Sequence, residues 1–295
     1  MKKLLILSFC AVILLSVVSG SIAFFTDSVE TTNVIVSGSI DISQYECERK
    51  KNTDGSYVTE PQDDGSHITV LQEYTQDQTV HPCVQSNPTR GDVLVTDPNG
   101  VQQTLNLYVS GMHNFVDKIV SVKNEGDNYA YVRTFIAVPT RSGISWLHLD
   151  KNTQNGWVWH EKPDEATGEA PQDTIIRDQV IDGKTYDIYV ATNTLPLAPG
   201  ATAAPSLLGF YLDSRFSNQN GRYHLTDEAG TTHDLGTEPE LSILVATEAT
   251  QAIGYKGDAD PLNKVFTDAY DALYTVFGAP DEHHPWVQPD AGAAL

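Results

Sequence analysis

Residues 117–138 read DKIVSVKNEGDNYAYVRTFIAV. Two runs rich in β-branched, aromatic and other apolar residues, Asp117 to Lys123 and Ala130 to Val138, flank the turn signal Asn124-Glu125-Gly126-Asp127, which reads as strand, turn, strand. The same rhythm continues outward in both directions. Strands are predicted at Asp92 to Thr96, Gln103 to Ser110, Gly156 to Glu161, Lys184 to Asn193, Ser206 to Asp213 and Glu240 to Ala246. Asp97-Pro98-Asn99-Gly100, Asp182-Gly183 and Pro199-Gly200 supply turn chemistry between them. Many short strands with few helical patterns predict an all-β chain folded as an antiparallel, jelly-roll-like β-sandwich.

One segment breaks the pattern. Pro261 to Phe277 spaces Leu262, Val265, Phe266, Ala269, Leu273, Val276 and Phe277 at helical intervals, with Asp258 or Asp260 available as a cap and Gly278 as a stop. This predicts a short C-terminal amphipathic helix covering the sandwich. The following residues, 279–295, are Pro-rich and read as a flexible tail. Between about residues 46 and 111 the composition turns polar, with KKNTDGSY, EPQDDGSH and QDQTVHPCVQSNPT around one short strand at His67 to Tyr74. That stretch reads as an inserted polar hairpin or loop, or as a poorly ordered one. The sandwich domain is thus expected over residues 24–278.

The N-terminus fixes the compartment. Lys2 and Lys3 precede an apolar run from Leu4 to Val18, and Ser21-Ile22-Ala23 is a small-x-small cleavage signal. The run is short for a membrane span, which needs roughly 20 residues, so cleavage between Ala23 and Phe24 is expected, residues 1–23 being a signal peptide. Membrane contact is then expected only through the uncleaved leader. The chain carries 18 basic and 39 acidic side chains, a net charge of −21. The leader holds two of the lysines and no acid, so its loss takes the net charge to −23. Such a chain lacks the basic footprint of a nucleic-acid binder. It is soluble, repels anionic polymers and attracts divalent cations weakly. Cys47 and Cys83 remain after cleavage, and in an oxidising compartment they are expected to pair as a disulfide. Two free thiols are the alternative.

Chemical motifs are incomplete. His160-Glu161 begins a zincin pattern, but Asp164 stands where the second histidine belongs. Gly143-Ile144-Ser145 lacks the second glycine of a nucleophile elbow, and no phosphate-binding glycine loop occurs. His283-His284 and the acidic turns at Asp54-Gly55 and Asp63-Asp64-Gly65 lack the ligand spacing of a metal loop. Trp157 and Trp159 share a strand face and read either as core or as a carbohydrate-stacking platform. No cofactor is expected.

The segment behind the leader carries a more specific signal. Thr32 to Ser43, TNVIVSGSIDIS, alternates Val34, Val36, Ile40 and Ile42 with polar or small residues, as a half-buried strand does, and Gly38 interrupts it. With Ala23, Phe24, Phe25, Thr26 and Asp27 ahead of it, this stretch resembles the start of the exported TasA and camelysin-like proteins. Three later segments agree in order: KIVSVKNEGDNYAYVR at 118–133, LPLAPGATAAPSLL at 195–208 and LVATEATQAIG at 244–254. The resemblance implies a secreted β-sandwich at the surface or in the extracellular matrix of a bacterium, its leader removed by a dedicated signal peptidase of the SipW type. It implies fibres built by strand donation to copies of itself or related matrix subunits. Phe24 and Phe25 would then be anchors, with Val34, Val36, Ile40 and Ile42 filling alternate pockets. The alternatives are a camelysin-like surface metallopeptidase, for which these residues name no ligand set, and a monomeric surface binding module.

Overall fold

The hairpin predicted around Asn124 lies at the centre of the protein, with one strand in each of two packed sheets. The computed structural model describes residues 40–75, 80–141, 144–160, 173–219, 222–227, 229–236, 242–252, 268–281 and 283–286. The fold is all-β and sandwich-like, with curled sheets and a short helix near the C-terminus.

The first sheet contains β1 (Ile42–Arg49), β2 (Thr59–Pro61), β3 (His67–Glu73), β4 (Val84–Thr96), β5 (Gln102–His113), β6 (Val116–Asn124), β9 (Leu147–Lys151) and β13 (Leu207–Leu212). Their order is β5-β4-β3-β1-β6-β13-β9, with β2 paired to β3. The second contains β7 (Ala130–Arg141), β8 (Ile144–Ser145), β10 (Trp157–Val158), β11 (Ile175–Ile181), β12 (Lys184–Asn193) and β17 (Leu244–Gln251). Its order is β10-β12-β7-β17, with β11 beside β12 and β8 beside β7. A small meander of β14 (Phe216–Gln219), β15 (Arg222–Thr226) and β16 (Thr232–Gly236) packs Phe216, Leu225 and Leu235 against the main core. Among the described strands all pairings are antiparallel except β3 with β4, and an isolated parallel bridge joins Pro82 to Leu212.

Alternation builds the core. On β6, Val116, Val120 and Val122 face Val132, Ile136 and Val138 of β7, and Leu207, Phe210 and Leu212 of β13 join them between the sheets. The opposite face of β6 turns Ile119 into a second cluster with Cys47, Leu71, Val95, Leu105, Leu107 and Leu208. The β4–β5 hairpin supplies three of those residues, so it curls over the outside of the first sheet. The polar stretch read as an insertion therefore contributes β2, β3, β4 and β5, half of that sheet. Its turns are as polar as expected: Asp54 and Asp64 each accept from the backbone N–H and hydroxyl of a serine two residues on.

The helix, α1 (Ala269–Phe277), is shorter than predicted. Its N-cap is Asp268, in extended conformation, whose carboxylate accepts from the Asp271 N–H, and Gly278 at φ 85° ends it. Asp258, Asp260 and Pro261 lie outside the described residues. The tail is not free over residues 279–281 and 283–286. His283 N–H donates to the Ala279 carbonyl, Pro280 and His284 are buried, and Trp286 packs against the outer face of the second sheet.

Candidate functional site

The chain enters the sandwich at Ile42. Ile42 pairs with Asn124, and Ile40 and Ile42 pack into this chain's own core, so the sequence-expected assembly strand ends as an internal strand. Ala23, Phe24, Phe25, Val34 and Val36 lie outside the described residues. The turn at Asn124 clamps the entry. Glu125 and Gly126 N–H groups both donate to the Asp41 carbonyl, at 2.8 and 3.1 Å. The buried Asn124 amide donates to the carbonyls of Asn128 and Leu197, and its oxygen accepts from Gly126. On the outer side Ser43 and Tyr45 hydroxyls reach Glu125, which also pairs with Lys123 at 2.7 Å.

Two structural observations bear on strand exchange here. Thr247 Oγ1 on β17 donates to Gln44 Oε1 on β1 at 2.8 Å, so the entering strand lies across from β17. Among the described residues β17 is paired on one side only, with β7.

Two charged side chains from the resembling segments are buried nearby. Lys118 on β6 pairs with Glu46 on β1, its ammonium 4.2 Å from the centre of the Tyr74 ring. Burial, then the Glu46 and Glu48 charges, pushes the Tyr74 phenol well above its ordinary value. Arg133 has no exposed side-chain surface. Its Nε and Nη2 donate to Glu248 Oε2 on β17, and Nη1 donates to the Gly278 carbonyl behind α1. The guanidinium thus ties two strands to the helix C-terminus. Burial raises the Glu248 carboxyl above its ordinary value, against the pull of Arg133.

Sequence reading missed a second set of ion pairs, which closes the curl of the first sheet. Arg49 donates bidentately to Asp117 at 2.8 and 2.9 Å and to the Tyr108 carbonyl at 2.9 Å. Arg90 donates to Asp150 at 2.7 Å and to the Asn106 carbonyl at 2.5 Å. Asn106 and Tyr108 lie on edge strand β5, and Asp150 on the opposite edge, β9. Side chains, not a backbone ladder, join the two edges and occupy carbonyls that would otherwise invite another strand. Arg90 and Asn106 are 16 positions apart and the other partners 59 to 68, so no local motif announces them. Burial raises the Asp150 carboxyl, with Arg90 opposing it.

The expected disulfide is not formed. Cys47 and Cys83 are both free and buried. Cys47 pairs with Ile119, beside Leu208, whereas the Cys83 N–H donates to the carbonyl of Leu212, four residues further along β13. At the strand rise that offset alone is about 13 Å, beyond the Cα separation a disulfide tolerates. Burial, followed by the charge of Asp97, pushes the Cys47 thiol up to about 12, which leaves it unreactive.

The tryptophans form no platform. Trp146, Trp157 and Trp159 are core residues, exposed by 3% or less. Trp157 and Trp159 donate their indole N–H to the carbonyls of Ala204 and Asn152. His160 bridges to Asp173, while Glu161 and Asp164 lie outside the described residues. A His148–Asp213 pair at 2.8 Å is shared with Arg215, whose side chain holds the Asp213 carboxyl well below the usual carboxylate range. Among the described residues no group of three or more His, Cys, Asp or Glu side chains is placed to hold a metal. No family model, curated protein or solved structure matches this chain.

Proposed function

We propose that the protein is an exported structural subunit of a bacterial surface or matrix, adding to copies of itself through the segment upstream of β1. The observation that carries this reading is the open edge of β17 lying across from the start of β1. β1 begins at Ile42 and its Gln44 meets Thr247 of β17, whose outer side is unpaired among the described residues. If fully extended, the 18 residues from Phe24 to Asp41 would span up to about 60 Å, enough to reach the same edge on a neighbouring copy. An extended segment laid on a sheet edge gains backbone hydrogen bonds, and alternate side chains fill pockets. Because the contact is head to tail, it generates filaments instead of closed dimers. The secretory leader and the resemblance described above support the same reading, and the subunit needs no cofactor.

Because β1 starts at Ile42, a deletion reaching residue 43 would damage the sandwich. The test compares a chain beginning at Phe24 with one beginning at Ile40, by electron microscopy and size-exclusion chromatography. Filaments from the first and folded monomer from the second are expected. Folded monomer from both, at every concentration, salt and pH, sinks the proposal.

A further inference from the structure

His284 is 7% exposed, and its Nδ1 has no partner. Its Nε2 reaches Gln179 Oε1 on β11 at 3.3 Å, a long contact. Its ring lies 6.3 Å from that of Trp286, which packs on the cluster of Phe135, Ala137, Ile176, Ile181, Tyr186, Ile188 and Val190 on the outer face of the second sheet. The residues before it double back after Gly278, where the Arg133 guanidinium ends.

We propose that the described residues 279–281 and 283–286 form a strap over the second sheet, held by neutral His284 and released when that imidazole takes up a proton. A second N–H on the ring would have no acceptor, and the charge would sit in a buried site beside an amide and an indole. An unpaired buried charge is costly enough that the segment carrying it leaves for water.

Among the charged groups on the packed elements are Asp178, Asp182 and Lys184 along β11 and the turn into β12, and Asp271 on α1. On β11 and β12, Arg177 donates to Asp187 Oδ2, and the Asp178 N–H donates to Asp187 Oδ1. On β7 and β17, Arg133 and Glu248 hold each other, and His283 of the strap also acts on the Glu248 charge. On α1, the Asp271 N–H is bonded to Asp268. Within the strap, Asp281 and His283 are exposed. Burial holds the His284 imidazole below its ordinary value. The folded strap therefore binds protons less well than the released one. Its stability is complete above the ordinary histidine value, near 6.5, and is lost as pH falls through the lower folded one.

The experiment is amide hydrogen exchange, corrected for intrinsic rates, on residues 24–295 at pH 7 and pH 5. Protection of peptides covering 279–286 and 175–181 should fall at pH 5 by about tenfold. His284→Leu should keep that protection at both pH values, whereas His283→Gln should still lose it at pH 5. If His284→Leu fails to fold, His284→Gln replaces it, since it also cannot charge. The proposal is overturned if wild-type protection is unchanged, or if the neutral variant loses protection at the same pH. Neither result bears on filament formation, which is read separately.

Discussion

A guanidinium without solvent exposure persists in a sheet only when it is well supplied with acceptors, and each of the three nitrogens of Arg133 finds one, on two groups 115 and 145 positions away. Removing it strands the Glu248 carboxylate behind α1. Arg133→Met should therefore lower the unfolding free energy by about 3 to 5 kcal/mol, whereas pairing it with Glu248→Leu should recover most of the loss, because a well-packed apolar pair avoids both desolvation costs. Urea denaturation of the two variants checks this, and equal stability of single and double variants would refute it. The sequence marks Arg133 as part of a strand pattern but not its partner. Glu248 sits in another strand, and only the β7–β17 register, Arg133 opposite Glu248, brings them together. The cysteines teach the same lesson in reverse. Cys47 and Cys83 are close enough in the chain to invite pairing, yet the strands carry them apart. Unfolded without reductant, the chain from Phe24 onward should give two titratable thiols per molecule; none would restore the disulfide.

At the scale of elements, strands bounded by turn residues were readable and strands bounded by packing were not. Lys184 to Asn193 is predicted and observed with identical ends, after the Asp182-Gly183 turn. β11 escaped because its alternation is interrupted. The bulge at Asp178, φ 56°, shifts the phase, so Ile176 and Ile181 reach the same cluster although five residues apart. β9 is five residues long and gives too little pattern to read. β13 also hides a constraint. A Cβ on Gly209 would come within 2.5 Å of the Phe115 ring and the Val116 carbonyl. Backbone on one side and a packed ring on the other leave no cheap relief, so Gly209→Ala should cost about 1 to 3 kcal/mol as overpacking. Thermal unfolding checks it, and an unchanged midpoint would mean that β6 and β13 separate more easily than their register suggests.

At the scale of the molecule, the net charge of −21 opposes any contact between copies. The entry to the sandwich was legible only in part, because Ile40 and Ile42 face inward while the residues that would be donated precede them. Strand addition must then work against long-range repulsion that the local contacts do not relieve. Screening shortens that repulsion from about 30 Å at 0.01 M salt to about 8 Å at 0.15 M. Acid removes it as the carboxylates protonate toward the sequence isoelectric point, near 4.5. Light scattering from a chain beginning at Phe24 should therefore show association that accelerates with salt over this range and again as pH falls toward 5. The chain beginning at Ile40 carries nearly the same charge and should stay flat under both changes. Equal acceleration of the two would assign association to charge neutralisation of the sandwich surface and remove the N-terminal segment from the account. Acceleration confined to the longer chain would make repulsion the barrier and the extended segment the bond that forms once it is lowered.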